Sequence, residues 1–74
     1  MNKKQKTSLY TVRDKIDTLR GDLGQCLAGV QDVYNTVTDQ DDKMALERVV
    51  MVLEATDTAF SNLDGLLLTA IEGA

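Results

Sequence analysis

Residues 9–37 read LYTVRDKIDTLRGDLGQCLAGVQDVYNTV, and the spacing of the apolar side chains within them decides the fold. Leu9, Val12, Ile16, Leu19, Leu23, Cys26, Val30, Val33 and Val37 follow one another in steps that alternate three and four. That alternation averages 3.5 residues and keeps one stripe of a helix apolar, which is the heptad pattern of packed helices. A second series runs through residues 46–70, LERVVMVLEATDTAFSNLDGLLLTA, as Leu46, Val49, Leu53, Thr56, Phe60, Leu63, Leu67 and Ala70. Between the two series, Asn35 to Asp42 lacks the pattern, and Thr36, Val37 and Thr38 are β-branched residues that weaken a helix end.

The reading is therefore all-α: helix 1 from about residue 7 to 36, a short turn, and helix 2 from about 40 to 72, in one domain spanning residues 1–74. Asp39 is placed to cap helix 2, with Asp41 and Asp42 in its first turn facing the positive end of the dipole, and Gly73 to stop it. So short a connection forces the helices antiparallel. With Leu9 and Leu46 as heptad position a, the flanking e positions are Arg13, Arg20, Leu27 and Tyr34 on helix 1 and Val50, Asp57, Asp64 and Ile71 on helix 2. In a hairpin, a step of seven forward on one helix meets a step of seven back on the other. Arg13 then faces Asp64, Arg20 faces Asp57 and Leu27 faces Val50, so two opposite charges and one apolar pair fix the register.

The opposite flank, position g, does not match. Ser8, Lys15, Asp22 and Gly29 of helix 1 meet Leu66, Ala59, Val52 and Ala45 of helix 2, so helix 2 carries an apolar edge its hairpin partner cannot cover. Burying an aliphatic side chain is worth roughly 1.5–3 kcal/mol, and a two-helix hairpin half-buries its seam at best. The expected solution is a homodimeric four-helix bundle with Ala45, Val52, Ala59 and Leu66 at the interface between copies.

Composition narrows the function. The 74 residues are 43% hydrophobic and 27% charged, with a net charge of −4, no histidine, no proline, no tryptophan and a single cysteine. Histidine acid–base chemistry, a His/Cys metal site and a disulfide framework are excluded, no cofactor is implied, and no nucleophile and base can be paired into an enzyme. No apolar segment follows the basic start and none approaches a membrane span, so the expected location is the cytoplasm, where a lone Cys26 suits the redox poise. Cys26, on the a/d seam, is expected to act as a small core hydrophobe.

The candidate contacts follow from what the bundle leaves over. Met51 and Leu68 are expected on the outer side of helix 2, and Gly21 and Gly24 lie one turn apart on the outer face of helix 1, where either a partner backbone approaches or the helix bends. These carry the leading reading, a non-enzymatic protein that binds another protein as regulator, inhibitor or adaptor. A second reading rests on charge: residues 1–20 hold six of the eight basic side chains and a net +4, against −8 for the rest. Lys3, Lys4, Lys6 and Lys15, with Tyr10 for stacking, form a basic end suited to nucleic acid, with a salt-sensitive affinity. A third has Arg13, Lys15 and Tyr10 holding a small anion between subunits. Against the reading of the basic end as a contact stands the acidic neighbourhood of the end of helix 2, with Glu72, which explains the basic end as internal charge matching.

The opening of the chain, Met1, Lys3, Lys6, Thr7, Leu9 and Arg13, resembles the start of the Rop-type plasmid RNA modulators over about 13 of the 74 residues. The resemblance implies a homodimer of helical hairpins. That family reads paired RNA loops with an exposed asparagine, phenylalanine and glutamine, and at the matching positions this chain has Tyr10, Asp14 and Thr18. The RNA-reading surface is not reproduced, Asp14 would repel phosphate, and the apolar seam is shifted by one residue.

Overall fold

The computed structural model describes residues 1–73 and consists of two helices, α1 (Lys3–Thr36) and α2 (Gln40–Gly73), packed as an antiparallel hairpin. Each is 34 residues long, about 51 Å at 1.5 Å per residue. The hairpin measures 56 × 16 × 10 Å with a radius of gyration of 16.9 Å, where a compact chain of this length would have about 11 Å. The molecule is a rod two helices wide.

Helix α1 begins at Lys3, six residues before the periodic pattern starts at Leu9, and a local device explains why. The Asn2 side chain accepts from the Gln5 backbone N–H at 2.8 Å while the Gln5 side chain accepts from the Asn2 N–H at 2.9 Å, a reciprocal capping box. The turn is Val37, Thr38 and Asp39. Asp39 caps α2 as its side chain suggests, Oδ1 accepting from the Asp42 N–H at 3.0 Å, and Asp41 and Asp42 occupy the first turn. Gly73, expected as the stop just past helix 2, is the last helical residue described, and its φ is not positive.

The register is the one the charges dictate. Arg13 and Asp64, Arg20 and Asp57 meet across the hairpin. The seam itself departs from expectation. Positions a and e are the covered ones, with Leu9, Ile16, Leu23 and Val30 of α1 set against Leu46, Leu53, Phe60 and Leu67 of α2, and Leu27, Tyr34, Val50 and Ile71 half-buried or buried beside them. Position d is turned outward: Val12 is 43% exposed, Leu19 47%, Val33 52%, Val49 43% and Leu63 41%. Cys26, expected in the core, is exposed as well. The physical reason is that one helix can cover only one side of its neighbour's stripe. Two forked ion pairs and the Leu27–Val50 pair lie on the e side, so the helices roll toward it and leave d uncovered. Among the described residues only Ile16 and Ile71 are buried.

Candidate functional site

The two flanks of the hairpin differ in chemistry. On the e flank, Arg13 Nε and Nη2 donate to the two carboxylate oxygens of Asp64 at 2.8 and 3.1 Å, and Arg20 repeats the fork onto Asp57 at 3.0 and 3.4 Å. These bonds, above all others, hold both carboxyls below the usual aspartate range. Toward the turn, the Tyr34 hydroxyl donates to Glu47 Oε1 at 2.9 Å, which raises the phenol's pKa, and the Lys43 ammonium stands 5.3 Å from the centre of the Tyr34 ring. Between these polar contacts the flank carries two shallow grooves, one lined by Gln31, Tyr34, Glu47, Val50 and Met51 and another by Leu23, Gly24, Leu27, Leu53, Glu54, Asp57 and Thr58.

The other flank is open and apolar. Val12, Leu19, Cys26 and Val33 line up along α1, and Val49, Leu63 and Ala70 with the half-buried Thr56 along α2. Beside the α2 row stands its g edge, Ala45, Val52, Ala59 and Leu66, all exposed, with Val52 at 65% and Leu66 at 69%. The Thr56 hydroxyl is satisfied internally, donating to the Val52 carbonyl at 2.7 Å. Shallow, mostly apolar hollows lie along this flank, one between Arg48, Val49, Val52 and Leu53 and another between Val33, Val37, Asp42, Ala45 and Leu46 near the turn. A band of this extent is more than the scattered apolar residues of an ordinary surface.

The sequence-derived candidates separate when placed on this frame. Met51 is 68% exposed at the rim of the e-flank groove. Leu68 is not on the outer side: it is half-buried, since position b at this end of α2 leans toward the seam. Gly21 and Gly24 are exposed, and an added Cβ at either would meet nothing within 4 Å, so no backbone of the hairpin approaches them. Lys3, Lys4 and Lys15 are exposed, Lys6 is half-buried and Tyr10 is 44% exposed. Arg13 is committed to Asp64, which removes it from the basic end and from any anion site. The structure thus brings together Tyr34, Glu47 and Val50 around Met51, a groupment the spacing of single helices conceals because its members come from both. No family model, curated protein or solved structure matches the chain. Among the described residues there is no cluster of three metal-ligating side chains, and no helix is long and apolar enough to cross a membrane.

Proposed function

We propose that the chain works by association and not by catalysis: two hairpins join as a homodimeric four-helix bundle, and the dimer binds another protein as a regulator, inhibitor or adaptor. The observation that carries this reading is the continuous apolar band of d positions and the α2 g edge, which a solitary hairpin leaves in water. Dimerisation through that band leaves the opposite flank free, and there Met51 and Tyr34 offer an apolar rim of the kind protein partners use. Of the basic end, Lys3, Lys4 and Lys15 remain exposed, and nucleic-acid binding through them with Tyr10 is the second reading.

The test places a photo-reactive amino acid at position 51 in the full chain, in its cell of origin. The expected result is a specific adduct with one protein, lost when Tyr34→Ala removes the groove's aromatic wall and competed by unlabelled chain. Adducts with nucleic acid only, or none, would overturn the protein-partner reading.

A further inference from the structure

Resting on the dimer proposed above, the heptad positions left open by the hairpin define how the second copy docks. We propose that like helices pair, α1 on the partner's α1 and α2 on the partner's α2, about a two-fold axis crossing the hairpin at Leu19 and Thr56, with the two turns at opposite ends.

The argument is one of register. Let α2 meet its copy antiparallel with Thr56 opposite the partner's Thr56. Stepping away in opposite directions, Val49 then faces the partner's Leu63, and on the g edge Val52 faces the partner's Ala59 and Leu66 the partner's Ala45. On the g edge each large side chain meets a small one, which lets the helices approach without voids, while Val49 and Leu63 bring two aliphatic side chains together on the d row. Both helices overlap over their full length, because Thr56 stands at the middle of Gln40–Gly73. Further out, Ala55 faces itself and Arg48 faces the partner's Asn62, so no like charges are brought together.

The second helix supplies an independent check. With Leu19 opposite the partner's Leu19, Val12 faces the partner's Cys26, which covers the thiol that the hairpin leaves exposed. On the g edge Lys15 faces the partner's Asp22 and Ser8 the partner's Gly29; beyond them Lys4 lies toward the partner's Asp32. The g residues of α1, which mismatch α2, thus match their own copy. Nothing required the two registers to agree, yet in the hairpin Leu19 and Thr56 lie nearly level: Leu19 is one residue further from the turn than Arg20 and Thr56 one residue nearer it than Asp57, and Arg20 and Asp57 are bonded to each other, which sets the two within about 3 Å along the axis. One axis serves both helices. The alternative, turns at the same end with α1 on the partner's α2, sets Asp22 against Val52 and Lys15 against Ala59, burying charge against apolar surface.

The experiment uses the full chain carrying Cys26→Ser with one new thiol, Leu19→Cys or Thr56→Cys, oxidised under non-reducing conditions, beside sedimentation equilibrium. The expected result is a species of twice 8.1 kDa that forms a disulfide-linked dimer with either thiol. A dimer that links only when the Leu19→Cys and Thr56→Cys chains are mixed would overturn the like-helix arrangement while sparing the dimer; a monomer would overturn both. Charge exchange gives a second measurement that needs no cysteine. Lys15→Asp and Asp22→Lys should each weaken the homodimer, roughly tenfold for the two symmetry-related pairs lost, and a mixture of the two variants should recover it as a heterodimer. No gain on mixing would overturn the proposal.

Discussion

Two aspartates carry most of the specificity of the hairpin. Asp57 and Asp64 each receive a forked guanidinium, and because the bonds from Arg20 and Arg13 favour the charged form, their folded pKa values lie below the ordinary 3.8. A group depressed in this way lends stability above its unfolded pKa and withdraws it as the pH falls through the folded one. Helicity followed by circular dichroism should accordingly decline below about pH 4. The Asp57→Asn, Asp64→Asn double variant should lose stability near neutral pH and show a flatter acid limb; an acid limb as steep as in the parent would show that other carboxylates govern it. This pair of contacts was fully legible in the sequence, because opposite charges at matched e positions have one meaning in an antiparallel pair. Cys26 was not. Its place in the apolar series is correct, but whether a d position is covered depends on how far the helices roll, and that is set by the e-side contacts.

At the level of the elements, the helices were legible as to existence, direction and register, and their ends less so. The pattern of apolar residues cannot mark a start that a capping box makes, since Asn2 and Gln5 are polar and lie before the first periodic residue. The groove around Met51 escaped the sequence because it draws Gln31 and Tyr34 from one helix and Glu47 and Val50 from the other. Glycines inside a helix give a prediction of their own. Gly21 has open space where a Cβ would stand and an ordinary helical backbone, so Gly21→Ala should stabilise the fold by about 0.5–1 kcal/mol, read from chemical denaturation. If the variant is instead less stable, or stable but unable to bind the partner protein, a partner backbone lies against that turn of α1 and glycine is kept there for its sake.

On the scale of the whole molecule, the question is what a rod with two buried side chains among its described residues does for stability. Its d rows and its α2 edge remain in water, and in the dimer proposed above a second copy buries them. Association then enters the unfolding equilibrium, and the melting temperature should rise with protein concentration, by roughly 3–6 °C per tenfold for a dimer of this size. Val52 separates this from a stable solitary hairpin. It is 65% exposed in the hairpin, where a charged substitution at so open a site should change stability by less than about 0.5 kcal/mol. In the bundle the same side chain sits on the partner's α2 edge, and a lysine there would bury its ammonium against Ala59 of the second copy. Val52→Lys should therefore lower the melting temperature, abolish its concentration dependence and sediment as a monomer. If it melts and sediments as the parent does, the apolar band is not the dimer interface, since no other arrangement that uses the band leaves Val52 in water.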